Sequence, residues 1–138
     1  MDDVISRNIE KMQEELGSGY FGLSASGLAF SKVFPRLLEE YGGGRLLDAG
    51  AGNLLYRNLL DDYCNSYEAL DIQEASGIDY VQDLQDTDLE SSSYDTVFCR
   101  NVLEHVEKPR FAMSEISRLL RDNGKAIVSV PHLAYLHN

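Results

Sequence analysis

The chain has 138 residues, 43% of them apolar, which suits one domain with its own core. Its 23 acidic against 12 basic residues leave a formal charge of −11, and the stretch from Asp61 to Asp95 carries 11 acids and no Lys or Arg. A field of that sign repels phosphate backbones and argues against a nucleic-acid partner, and no run approaches the roughly 20 apolar residues of a membrane span. The ordinary reading of such a charge run is a solvated acidic surface. Met1-Asp2-Asp3 lacks the basic-then-apolar order of a secretion signal, so the expected compartment is the cytoplasm. Cys64 and Cys99 stand apart from each other and from any His at metal spacing, so neither a disulfide framework nor a metal site is expected, and both read as small core residues.

In chain order, Ile5, Ile9, Met12 and Leu16 recur at helical spacing before Gly17, which predicts an amphipathic helix over residues 3–16. Residues 17–27 read as a Gly/Ser-rich loop that embeds Tyr20 and Phe21, either as a lid or as packing against the first helix. A second helical stripe follows in Phe30, Val33, Phe34, Leu37, Leu38 and Tyr41; Pro35 kinks it or restarts it, and Gly42-Gly43-Gly44 ends it. From Arg45 onward short apolar runs alternate with helical ones, the pattern of βαβ units around a parallel sheet. Strands are predicted at 45–49, 66–71, 79–82, 95–99 and 125–130, with helices at 53–61, 73–76 (short), 84–89 (weak) and 109–121. One domain over 1–138 is expected: N-terminal helices and loop to residue 44, a βαβ core over 45–131, and a tail.

The chemistry concentrates where strands end. Leu46-Leu47-Asp48-Ala49-Gly50-Ala51-Gly52-Asn53 reads as a buried strand breaking into a glycine loop that opens a helix, a geometry in which backbone and helix N–H groups approach a ligand closely. The second strand ends at Asp71, 23 positions beyond Asp48, which is the spacing of an acid that accepts both hydroxyls of an adenosine ribose. The third ends at Gln82-Asp83-Leu84, where another acid can accept from an adenine amino group, and the fourth at Cys99-Arg100-Asn101.

These residues resemble class I S-adenosylmethionine-dependent methyltransferases, in particular the branch that methylates small molecules and quinone-type lipids. The resemblance rests on LLDAGAGN as the first motif, Asp71 as the ribose acid, Asp83 as the acid beside the adenine, and the segments Tyr94-Asp95 through Val102-Leu103-Glu104-His105-Val106 and Arg118-Leu119-Leu120-Arg121-Asp122-Asn123-Gly124. It covers about Arg45 to Pro131 and implies a doubly wound, Rossmann-like α/β fold. The sheet would be mostly parallel, five strands in order 3-2-1-4-5, with helices on both faces and two helices ahead of it. It implies S-adenosyl-L-methionine as cofactor and a small-molecule methyl acceptor. Gly50, Ala51 and Gly52 would wrap the methionine end, Asn53 its charged groups, and Asp71 with Ile72, and Asp83 with Leu84, the adenosine. Arg100 and Asn101 would lie near the sulfonium.

The sequence departs from the pattern at Leu54, where many members have a third glycine, and it stops just after the fifth strand, where relatives continue through two more. The open edge of that last strand would invite pairing with a second copy. A non-catalytic module that keeps the fold, or a piece of a longer enzyme, fits the same residues. A nicotinamide-dependent oxidoreductase fits less well, because no glycine stands about three positions after Gly52. No catalytic base is assigned: His105 reads as a structural residue, and His132, Tyr135 and His137 as acceptor contacts or a frayed tail.

Overall fold

Five parallel strands make one sheet in the order β3-β2-β1-β4-β5, so the expected order holds. They are β1 (Arg45–Ala49), β2 (Ser66–Asp71), β3 (Tyr80–Val81), β4 (Tyr94–Arg100) and β5 (Leu120–Ser129), accompanied by helices α1 (Ala25–Tyr41), α2 (Arg57–Asp61) and α3 (Pro109–Leu119). The structure is a computed structural model that describes residues 25–131. The predicted helix over 3–16, the aromatics Tyr20 and Phe21, and the tail residues His132, Tyr135 and His137 lie outside the described residues.

Alternation along the strands divides the core in two. Register pairs Leu46 with Tyr67 and Thr96, and Asp48 with Ala69 and Phe98, so these side chains share one face; Leu47 and Val97 share the other. On the first face Leu46, Phe98 and Ile127 pack with Phe34 and Leu38 of α1 and Leu59 and Leu60 of α2. On the second, Leu47, Leu70, Val97 and Cys99 pack with Ala112, Ile116 and Leu119 of α3. A sheet covered on both faces explains why its central strands read as nearly continuous apolar runs. Helix α1 continues through Pro35, contrary to a restart: Phe34, Pro35 and Leu38 lie on its buried stripe. Packing there offsets the backbone hydrogen bond that proline removes.

Two predicted helices are absent, and two are shorter than expected, α3 ending at Leu119. Residues 73–76 and 84–89 form loops instead, each opened by an aspartate that folds back on the chain: Asp71 Oδ1 accepts from Gln73 N at 2.9 Å and Asp83 Oδ1 from Gln85 N at 2.9 Å. Regular helix in the stretch 53–61 begins only at Arg57, because Leu54 takes φ 60° and interrupts a right-handed helix. The last strand starts earlier than predicted, at Leu120, with a register shift between the Tyr94 and Thr96 pairings that accommodates Asn123 at φ 66°.

Side chains do the work of the missing helices. Between β2 and β3, Asp79 joins the ladder itself: its N–H donates to Ala69 O at 2.9 Å, and its Oδ2 accepts from Ala69 N at 2.8 Å. Between β3 and β4, Glu115 of α3 accepts from Thr87 N at 2.9 Å, Thr87 Oγ1 at 2.5 Å, and Arg118 Nε and Nη2 at 2.9 and 2.6 Å. At the amino edge, Arg45 forks onto Glu68 at 3.1 and 2.9 Å, and its N–H donates to Asp95 Oδ2 at 2.7 Å. That approach requires a glycine before it, since a Cβ on Gly44 would lie 2.1 Å from Asp95 Oδ2.

Arg118 foremost, with Thr87, holds the Glu115 carboxyl from its ordinary 4.5 down to about 2. A depressed carboxyl contributes stability above the unfolded-state value that is lost as pH falls through the folded one. Glu115→Ala is therefore expected to cost roughly 2–3 kcal/mol at pH 7. In urea titrations across pH, the difference from the parent shrinks between pH 4.5 and about 2.

Candidate functional site

The carboxyl ends of β1 and β2 are stitched together by the glycine loop. Gly50 N and Ala51 N both donate to Leu70 O, at 2.7 and 3.0 Å, and Gly52 N donates to Asp71 Oδ2 at 2.8 Å. With Gln73 N on Oδ1, each oxygen of Asp71 holds one backbone donor and retains acceptor capacity for a second. Asp71 is half-buried, and the next side chain, Ile72, is 67% exposed, an apolar surface beside a carboxylate.

The two glycines have different reasons. Gly50 takes φ 83°, and a Cβ there would lie 2.2 Å from Val102 Cγ2, so packing of the β4–α3 connection demands it. Gly52 takes φ 54°, and among the described residues beyond its two chain neighbours no atom lies within 4 Å of where a Cβ would be. It presents bare backbone beside Asp71, with exposed Asn53 following. The helix expected to open at Asn53 starts at Arg57 and has five residues, so the backbone N–H groups beside Asp71 belong to the loop and not to a helix N-terminus.

Asp48 is 3% exposed and accepts from Tyr67 OH at 2.7 Å. Burial pushes its carboxyl up to about 7; the Tyr67 hydroxyl opposes this, and the Asp71 charge adds to it. Tyr67 is pushed upward in turn by burial and Asp48. Sequence reasoning missed Tyr67. The signal lies in strand register, which sets Ala69 opposite Asp48 and so brings Tyr67, two residues earlier, onto the same face.

The remaining predicted residues occupy the same edge with different exposures. Asp83 is half-buried, and both its oxygens accept from Gln85 Nε2 at 3.1 Å. Leu84 is 4% exposed, with its side chain packed in the core. Arg100 donates to Tyr56 OH and lies over the rings of Phe30 (3.8 Å) and Tyr56 (4.9 Å) on the α1 face. Asn101 takes φ 53°, and its N–H donates to Ser129 O at 2.9 Å, fixing the turn after β4. His105 is exposed, with Nε2 3.8 Å from Glu104. Cys99 is buried and pushed up to about 12, chiefly by burial, so it is no thiolate nucleophile at neutral pH. Among the described residues, no cluster of three or more His, Cys, Asp or Glu is placed to hold a metal ion, and no helix is long and apolar enough to cross a membrane.

Because Asp48 has its affinity for a proton raised by folding, the folded state holds that proton between pH 3.8 and about 7, and this contribution to stability declines as pH rises through the interval. Asp48→Asn is expected to be more stable than the parent at pH 8 by about 1–3 kcal/mol, with the difference vanishing toward pH 4. Chemical denaturation at the two pH values checks this; equal differences at both would show that Asp48 is not held protonated.

The methyltransferase-domain family profile matches residues 47–128. Among solved structures, the PH0226 protein from Pyrococcus horikoshii OT3 superposes with a TM-score of 0.64 at 20% identity, over 89% of this chain and 62% of its own. A protein of Methanococcus maripaludis that carries the description of an S-adenosyl-L-methionine-dependent methyltransferase matches at 0.61 and 19%, over 90% and 63%. The cyclase SpnF matches at 0.59 and 20%, over 75% and 46%. The chain thus spans less than two thirds of the length of these relatives. A search of curated proteins returns no match. With the profile covering more than half of the sequence and the sheet in the expected order, the chain belongs to the methyltransferase-domain family and has the fold of class I S-adenosylmethionine-dependent methyltransferases.

Proposed function

We propose that this chain binds S-adenosylmethionine across the carboxyl ends of β1 and β2 and promotes methyl transfer to a small-molecule acceptor. The observation that carries the reading is the Gly52–Asp71 hydrogen bond, which sets a bare glycine backbone, a carboxylate with spare acceptor capacity and the exposed Ile72 side by side. That donor set fits an adenosyl group: Asp71 accepts the ribose hydroxyls, Ile72 offers an apolar surface to the base, and Asp83 is the acid available to its amino group. Gly50, Ala51, Gly52 and Asn53 would hold the methionine end, with Asp48 as the buried carboxyl behind the loop. The bound group supplies an electrophilic methyl on a sulfonium. The protein's part is alignment, because holding the acceptor atom within about 3 Å of the methyl supplies much of the acceleration. Arg100 and Asn101, at the end of β4, border the side from which an acceptor would enter.

A second reading rests on a specific comparison. SpnF, with the same fold, is described as a cyclase, so fold and family leave the reaction open. The chain would then be a cofactor-binding module, and cofactor binding without turnover over a broad acceptor panel would favour it.

Calorimetric titration with S-adenosylhomocysteine tests the site. Asp71→Ala is expected to bind tens- to hundreds-fold more weakly, the roughly 2–4 kcal/mol of two charge-assisted hydrogen bonds. Asp71→Asn keeps an acceptor for Gly52 N and separates loop collapse from loss of ribose recognition. Unchanged affinity in both variants would remove Asp71 from the site.

A further inference from the structure

Leu54, two residues beyond Gly52, takes φ 60°, a left-handed conformation that penalises any residue with a Cβ. Leucine has no polar atom with which to bond the turn locally. The backbone is held there all the same: Leu54 N donates to Ala51 O at 2.9 Å, and Leu54 O accepts from Arg57 N at 3.1 Å. A glycine would adopt this φ without the penalty, so the leucine side chain must be favoured by a contact elsewhere.

That contact lies across the gap between two loops. Leu54 is half-buried, although Asn53 before it and Leu55 after it are exposed, and its side chain sits against Gly77 of the loop after β2. A Cβ added at Gly77 would lie 2.4 Å from Leu54 Cδ1 and 3.8 Å from Leu54 Cγ. Gly77 itself takes φ 89°, so one left-handed residue from each loop meets the other. Residues 72–77 are all exposed. Gln73 N on Asp71 Oδ1 ties the start of that loop, and Ile78 N on Ala75 O, at 3.1 Å, closes its end. An exposed segment with so few apolar contacts belongs to the part of a fold that opens locally, and the Leu54 side chain gives it an apolar hold on the neighbouring loop.

We infer that Leu54 is a positioning residue: seated on Gly77, it sets the separation of the loops after β1 and β2 and so holds Ile72 and the Gly52–Asp71 pair ready for an adenosine. The role in ligand binding rests on the function proposed above; the contact itself does not. The Gly52–Asp71 hydrogen bond joins the two loops at their roots, and the Leu54–Gly77 contact joins them farther out. A ligand lying on Asp71 and Ile72 then meets a preformed surface, and less conformational entropy is lost on binding. Strain at Leu54 persists because the surrounding packing compensates it.

The test is calorimetric titration of the full chain with S-adenosylhomocysteine and with 5′-methylthioadenosine, which keeps the adenosine and lacks the amino-acid end. Asparagine tolerates the left-handed conformation and removes the apolar side chain, so Leu54→Asn releases the contact while keeping the turn. It is expected to weaken both probes about five- to tenfold through a less favourable binding entropy. The urea midpoint should hardly move, because relief of backbone strain offsets the lost contact. Leu54→Met reaches the same seat and is expected to bind within about twofold of the parent. Amide hydrogen exchange at Gln73 and Ile78 should quicken in Leu54→Asn and stay at the parent rate in Leu54→Met. Parent affinity in Leu54→Asn, weakening of S-adenosylhomocysteine alone, or a loss that Leu54→Met shares in full would overturn the role of Leu54. So would a loss of affinity accompanied by a fall in the urea midpoint, which marks a residue that only supports the fold. A parent chain that binds neither probe would instead overturn the adenosyl-binding reading itself, and the parent titration tells the two failures apart.

Discussion

The organisation of the functional edge depends on one carboxylate. Asp71 ends β2, and by accepting from Gly52 N and Gln73 N it fixes both the loop after β1 and the loop after its own strand. Leu70 O, one residue earlier, takes the N–H groups of Gly50 and Ala51. Four backbone donors from two loops thus converge on the last two residues of one strand. Such an arrangement is possible only between adjacent parallel strands that end at the same edge, which the β1–β2 register provides. Buried Asp48 lies close enough for the charge of Asp71 to add to the rise that burial imposes on its carboxyl.

The acidic tract has a structural use that its charge pattern hides. Read as a run of charges, residues 61–95 suggest solvated surface. In the fold, Glu68 receives the Arg45 fork, Asp71 holds the glycine loop, Asp79 completes a β-ladder, Asp83 makes a turn and Asp95 accepts from Arg45 N and Arg121 Nη1. Aspartate is suited to this because its short side chain reaches neighbouring N–H groups that a loop leaves unpaired. These bonds let the chain pass from β2 to β3 and on to β4 without the covering helices that such crossovers usually carry. The negative field that remains suits a cationic sulfonium better than a phosphate.

Much of this was legible in advance, for identifiable reasons. The bounds of β1 and β2 were readable because apolar runs end at Asp48-Ala49-Gly50 and Asp71, where chemistry and chain reversal coincide. Helix α3 was readable from Pro109 at its start and the stripe Ala112, Ile116, Leu119. The helices expected at 73–76 and 84–89 failed because propensity over four to six residues is weaker than an aspartate turn. Leu54 at φ 60° is a choice of tertiary packing that no local pattern announces. Tyr67 on Asp48 and Arg100 on Phe30 and Tyr56 depend on register and on which face each strand turns to α1, information that exists only once the sheet is assembled.

The central claim is that the glycine loop and the end of β2 together form an adenosyl-binding edge. The most direct measurement is amide chemical-shift mapping of the uniformly ¹⁵N-labelled full chain on titration with S-adenosylmethionine. The account predicts saturable shifts concentrated at Gly50, Ala51, Gly52, Ile72 and Gln73, with α3 and the amino edge around Arg45 undisturbed. Saturation that leaves those five amides in place while moving another region, or no shift at millimolar cofactor, would contradict it.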